Sequence, residues 1–352
     1  ILLFSCSFGE NINLEKQIDE IFTEFQIGTR PGASVAVIKD SRIIYKKGFG
    51  VANLESGQPI NSETNFRLAS ITKQFTALSV LLLENEGKLS LFDKITDYFP
   101  ELNHYAHEIK IINILQHTSG FLDYEHFVDA KDTIQLKDSD VLEILSGQDS
   151  TYFEPGTKHK YSNSGYAVLA LLVDRVSGLS FAEFLDKKIF QPLKMNNTVA
   201  FEKGISTVSQ RAIGYTDIDE GFINSDQSLT SAVLGDGGIY SSITDLLKWN
   251  KEVEEPTLLP EEKFFKVFEK GKTNSLEEFD YGLGWRLDPY KGLKRHYHTG
   301  GTSGFTNIYM KMPELNLTVI ILINLWEYNA KGFAERVSDI FINEKPIKKS
   351  NQ

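Results

Sequence analysis

Strand-like segments lie at both ends of this chain and helix-like segments lie between them, and that distribution constrains the fold more than any single motif. Near the start, Ala33–Ile38 and Ile43–Val51 are rich in apolar and β-branched residues and flank Lys39-Asp40-Ser41, which reads as a hairpin turn. Near the end, Lys294–His298, Thr306–Met312 and Leu317–Ile323 carry the same signal. Helical spacing marks Leu14–Phe25, through Ile18, Ile21, Phe22 and Phe25, before Pro31-Gly32 breaks the pattern. It returns over Ala69–Glu86, with Phe75, Leu78 and Leu82 on one face and Gly87 suited to a left-handed C-terminal cap. Residues 100–234 read as helices and long loops. Further helices fit Ser242–Glu252, after Gly235-Asp236-Gly237-Gly238, and Ala330–Ile342. Strands so far apart in sequence share one core most simply in a single antiparallel sheet built from both chain ends, flanked by the terminal helices. The expected class is α/β (α+β) with an inserted, mostly helical lobe. The expected boundaries are a signal-peptide remnant and tether over 1–12, one domain over 13–345, and a tail over 346–352. Within the domain, 13–100 and 235–345 form the sheet lobe and 101–234 the helical lobe. The cleft between lobes is the expected place for a site.

Composition narrows the function. A chain of 352 residues with 24 Phe and 14 Tyr can build a large core and line a substrate cleft. A net charge of -11 argues against a nucleic-acid partner and gives no reason for adhesion to anionic lipid. No segment approaches the roughly 20 apolar residues that span a bilayer. The single cysteine, Cys6, excludes an intrachain disulfide. It follows Leu2-Leu3-Phe4-Ser5, which resembles the end of a signal segment before a lipidated Cys. That reading predicts an exported bacterial protein, periplasmic or on the outer surface, touching membrane only through a lipid anchor.

Three short motifs carry chemistry. In Ser70-Ile71-Thr72-Lys73 the serine and lysine lie three apart at a helix start, so hydroxyl and amine share one side. A serine hydroxyl attacks only when a base takes its proton, and the helix N-terminus offers N–H groups to an anionic intermediate. In Tyr161-Ser162-Asn163, a tyrosine beside cations can move protons, and an Asn two residues on can hold a substrate amide. In His298-Thr299-Gly300-Gly301, on an expected edge strand, glycines let a substrate lie against the backbone, and the Gly301 N–H can pair with that of Ser70 as an oxyanion hole. Each motif alone has a plainer reading, as a chance helix pair, a turn, and a Gly-rich loop.

In this order the three motifs resemble the signature of penicillin-recognising serine enzymes: S-x-x-K, then Y/S-x-N, then K/H-T-G. The chain is similar to the branch with class C β-lactamases, D-alanyl-D-alanine carboxypeptidases, D-aminopeptidases and esterases. The likeness extends to Leu115-Gln116-His117-Thr118-Ser119-Gly120, Phe153-Glu154-Pro155-Gly156, Ile189-Phe190-Gln191-Pro192-Leu193 and Tyr281-Gly282-Leu283-Gly284-Trp285, so it covers the domain. The resemblance implies that Ser70 is acylated, Lys73 and Tyr161 move its proton, Asn163 holds the acyl amide, and Thr299, Gly300 and Gly301 bind substrate. The resemblance also counts His298 as catalytic with Ser70, Lys73 and Tyr161, in the place of the usual Lys, as a cation that is partial and pH-dependent. His117 is expected to satisfy backbone groups in its turn. His104, His107, His126, His159 and His296 show no ligand spacing, so neither metal nor cofactor is expected. The implied function is hydrolysis of peptide-like amides or esters through an acyl-enzyme, of the D-amino-acid peptidase or carboxypeptidase type. A class C-like β-lactamase and a β-lactam sensor that stays acylated are the alternatives.

Overall fold

The computed structural model describes residues 13–343 apart from 28, 103, 130 and 132, so Cys6, the 1–12 segment and the 346–352 tail lie outside the described residues. The main sheet is assembled from both ends of the chain, as its strand pattern requires. Strands β1 (Ala33–Lys39) and β2 (Arg42–Phe49) come from the start, and β3 (His296–Thr302), β4 (Phe305–Met312) and β5 (Leu317–Ile323) from the end. The order is β3-β4-β5-β1-β2, with β5 antiparallel to β1 from Ala33↔Ile323 to Lys39↔Leu317. Asp40 and Ser41 form the hairpin turn with φ of 50° and 58°, the left-handed pair that a tight two-residue hairpin demands. The second run breaks at Gly50, φ 67°, and Val51–Asn53 is a separate short strand.

Side chains alternate between two cores. Val35, Val37, Ile308, Met310, Val319 and Ile321 share one core with Ile18, Phe22 and Phe25 near the start and Phe333, Val337 and Phe341 near the end. A helix of about nine residues does not persist alone in water. Helix α1 (13–21) is held by that apolar face, and its continuation tightens to a 3-10 turn, Thr23–Gln26, that seats Phe25. Ala36, Ile38, Tyr309, Ile320 and Leu322 face the other core, which contains α2 (Thr72–Asn85). Helix α2 is buried all round from Thr72 to Leu83, rather than on the single face its spacing suggests, because the middle segment covers its far side. Gly87 ends it at φ 69°.

The middle segment contains α3 (Asp138–Ser146) and α4 (Asn163–Ser177), the latter capped by Ser162 Oγ, which accepts the Gly165 N–H. It also holds one small hairpin, Tyr215–Ile218 with Gly221–Asn224. Helices α5 (Ile243–Glu254) and α6 (Ala330–Asn343) complete the layers. The edge strand β3 runs through both glycines to Thr302, beyond the expected Lys294–His298, because Gly300 and Gly301 pair with Asn307 and Thr306 of β4.

Candidate active site

Ser70 sits in a 3-10 turn, Ala69–Ile71, directly before α2. The backbone entering the turn is pinned on both sides. Leu68 N–H donates to the Ile239 carbonyl at 2.8 Å, and Asn307 Nδ2 donates to the Arg67 carbonyl at 2.8 Å. Ala69, at φ 50°, takes a left-handed conformation that costs a non-glycine residue energy and that the surrounding bonds hold in place. One helical turn on, Lys73 is fully buried, and its Nζ donates to Ser70 Oγ at 3.2 Å, to Asn163 Oδ1 at 2.8 Å and to the Asp236 carbonyl at 2.8 Å. Three acceptors match the three N–H bonds of an ammonium. No salt bridge to Lys73 forms among the described residues. Because Lys73 can only donate, the Asn163 oxygen must face it, which leaves Nδ2 to donate to Glu125 Oε1 at 2.9 Å. Both arms of Asn163 are therefore engaged, the outer one by an exposed carboxylate that a substrate can replace.

Tyr161 enters from the segment before α4. Its ring lies 5.0 Å from Lys73 Nζ and 5.1 Å from the Arg286 guanidinium, and its hydroxyl is buried without a hydrogen-bond partner among the described residues. Leaving a buried hydroxyl unpaired costs about 1–3 kcal/mol, so such a group in a cleft points to a partner supplied by substrate. His117 braces the other side. Its ring lies 4.3 Å from that of Tyr161, tilted by 40°, and its Nδ1 accepts the Ser162 N–H at 3.2 Å, so it satisfies a backbone group as its turn motif implies. Burial first, then the charge of Lys73, holds the His117 pKa well below 6.5, so the ring is neutral.

Strand β3 forms the facing wall. A Cβ on Gly300 would stand 2.0 Å from the Leu68 carbonyl oxygen, so the strand lies directly against the residues leading into Ser70. Gly301 is exposed, and a Cβ there would meet only Trp326, at 3.6 Å. Thr299, half-buried, lies between them and His298. His298 departs from expectation. It is 1% exposed, its Nδ1 lies 2.7 Å from the Thr299 carbonyl, and its Nε2 lies 3.1 Å from the Tyr281 hydroxyl. A carbonyl only accepts, so Nδ1 carries the proton and Nε2 accepts from Tyr281. Burial, then the charges of Arg286 and Lys73, pushes the His298 pKa well below 6.5. It is a neutral, buried wall group, not a cation that titrates near neutrality. Arg286, half-buried and free of any salt bridge among the described residues, is the cation on this side.

The motifs thus bring Ser70, Lys73, Tyr161 and Asn163 together, with β3 beside them. Three contributors lie outside the three catalytic motifs, although Tyr281 opens one of the stretches that carry the likeness. They are Glu125, the Asp236 carbonyl and Tyr281. Asp236 was visible only as part of a Gly-rich turn, and Glu125 reaches the site from the 3-10 turn Tyr124–Phe127.

Known proteins share this chain's sequence pattern and fold. The family model described as Beta-lactamase matches residues 18–342. Penicillin-binding protein 4* of Bacillus subtilis (strain 168) is 29% identical over 328 residues, spanning 89% of this chain and 72% of that protein. The octameric penicillin-binding protein homologue from Pyrococcus abyssi superposes with a TM-score of 0.81 at 29% identity, over 96% of this chain and 78% of that one. The D-amino acid amidase from Ochrobactrum anthropi SV3, in complex with D-phenylalanine, shares the fold with a TM-score of 0.80 at 21% identity, over 95% of this chain and 100% of the other.

Proposed function

The chain belongs to the beta-lactamase family and is a serine hydrolase, and from that premise we propose that Ser70 forms an acyl-enzyme with peptide-like amides, and with esters as a second substrate class. The carrying observation is that two motifs 90 residues apart meet on one atom, Lys73 Nζ, at 3.2 Å from Ser70 Oγ. Ser70 Oγ attacks the carbonyl carbon while its proton passes to whichever of Lys73 Nζ and the Tyr161 oxygen has first given up its own proton, as free amine or phenolate. The N–H groups of Ser70 and Gly301 stabilise the oxyanion. Collapse breaks the bond to the leaving group, which takes the proton. Water then attacks the ester on Ser70, returns a proton to Oγ and releases the acid.

Two charges support the substrate class. The exposed Glu125 carboxylate beside Asn163 suits an ammonium next to the acyl carbon, as in an amino-acid amide or a free peptide N-terminus. Arg286, beside Tyr161, suits a carboxylate on the leaving side, and it is the observation that favours the second reading, a β-lactam as substrate or as a lasting acyl group. The relatives' names, D-amino acid amidase and penicillin-binding protein, fit these two readings in turn. Export, with attachment through Cys6, belongs to the same proposal and rests on the residues before that cysteine.

A panel of D-amino-acid amides, D-peptides, p-nitrophenyl esters and nitrocefin tests the assignment. The expected order places an amide or ester above nitrocefin. Glu125→Gln should raise KM for a free-amine amide and leave its N-acetylated form unchanged. Hydrolysis of nitrocefin near ~10⁷ M⁻¹s⁻¹, within the efficient range, would make β-lactamase the function.

A further inference from the structure

A second cavity, of about 1210 Å³, opens on the helical side of the molecule among α3, α4, the helix Phe181–Leu185 and the segments 201–211 and 226–234. None of Ser70, Lys73, Tyr161, Asn163 or Gly301 lines it. It lies behind the turn Leu234–Gly237, whose Asp236 carbonyl holds Lys73. Its wall is mixed, with Leu171, Phe181, Phe201 and Leu229 giving it an apolar stretch. Ile134 and Ile205, which also line it, are 82% and 78% exposed, more than any other large apolar side chains among the described residues. Single exposed isoleucines need no explanation, but two on one cavity form an apolar entrance.

The polar content of the wall is specific. Asp174, half-buried, lies in it, and its Oδ1, closed to solvent, has no hydrogen-bond partner among the described residues. Burial pushes this carboxyl up to about 6; the Phe181 N–H opposes the shift and the neighbouring Glu202 charge adds to it. Among the described residues no basic side chain forms a salt bridge with Asp174. Arg211 is committed to Asp226 and the Tyr240 hydroxyl, and Lys137 and Lys203 are exposed. A half-buried carboxyl in the cavity wall, beside a second carboxylate, is a charge-assisted acceptor for an incoming N–H cation.

We propose that this cavity is a second ligand site, taking a small amphiphile whose primary ammonium group bonds Asp174 and whose apolar body lies along Leu171, Phe181 and Phe201. The site is separate from the acyl-transfer cleft and needs no chemistry at Ser70.

Calorimetric titration of the full chain with n-octylammonium and with n-octanol tests it, and the readout requires no turnover. Octylammonium should bind one to one, and octanol at least tenfold more weakly. Asp174→Asn should weaken octylammonium at least tenfold. Ala182→Phe, which fills the cavity, should abolish binding. Glu125→Gln, which alters the catalytic cleft, should leave it unchanged. Absence of saturable heat, equal binding by Asp174→Asn, or loss of binding in Glu125→Gln overturns the proposal, the last because the amine then sits beside Ser70. Should Asp174→Asn fail to fold by circular dichroism, Ala182→Phe and the octanol comparison decide the matter alone.

Discussion

Replacing Gly300 by alanine tests how closely the edge strand must approach the nucleophile. The added Cβ would stand 2.0 Å from the Leu68 carbonyl oxygen, whereas real Cβ contacts essentially never fall below 3.0 Å. Strand β3 must therefore retreat by about 1 Å from the backbone that leads into Ser70. Leu68 has little room to yield, because its N–H is bonded to Ile239 and the preceding carbonyl to Asn307. A misplacement of about 1 Å at a reacting centre can cost ~10²-fold in rate, and overpacking costs about 1–3 kcal/mol in stability. Gly301→Ala is the control for stability, since its Cβ meets only Trp326 at an ordinary 3.6 Å. Steady-state kinetics on a p-nitrophenyl ester, with thermal melts of both variants, measure the effect. Gly300→Ala should lose about 10²-fold in kcat/KM and melt lower, while Gly301→Ala should melt like the wild type. A Gly300→Ala protein with unchanged activity and melting temperature would refute the packing of β3 against the Ser70 turn.

The other expectations follow from buried groups. Tyr161→Phe removes a hydroxyl that no protein group bonds, so melting should be unchanged or higher while kcat falls ~10²–10⁴-fold; wild-type kcat would return Tyr161 to a packing role. His298, held well below 6.5, should show no titration in ring-labelled NMR spectra between about pH 5.5 and 8, and a midpoint near 6.5 would contradict its burial. Asp138, which accepts the Leu234 and Gly235 N–H groups, is pushed up to about 7 by burial. A carboxyl raised on folding contributes stability that is complete below its unfolded pKa, falls as pH rises from that value to the folded one, and is lost above it. The melting temperature of the wild type should therefore decline from about pH 4 to 7 relative to Asp138→Asn and level off above that, and parallel curves would refute the raised pKa.

Much of this was legible in the sequence because it is local. Asp40-Ser41 announces its turn through residue type, and Ser70 with Lys73 announces shared geometry through helical spacing. What was not legible depends on distant packing. Strand periodicity shows which way His298 points, but its depth comes from Tyr281, 17 residues away, which covers it. Gly300-Gly301 suits a turn by local chemistry, and it is pairing with Thr306 and Asn307 that keeps both in the strand. Ala69 carries no sign of its left-handed backbone, because neighbours on Ile239 and Asn307 impose it. Glu125 belongs to no motif, and only the fold brings its carboxylate to Asn163.

The central claim is that Ser70 carries the acyl group. Its most direct test is peptide-mapped mass spectrometry of the wild type and Ser70→Ala after treatment with a fluorophosphonate or a slowly deacylating ester. The account predicts one adduct per chain, on Ser70, and none on Ser70→Ala when both proteins melt alike. Equal labelling of the two proteins, or an adduct mapped to another residue, would contradict it.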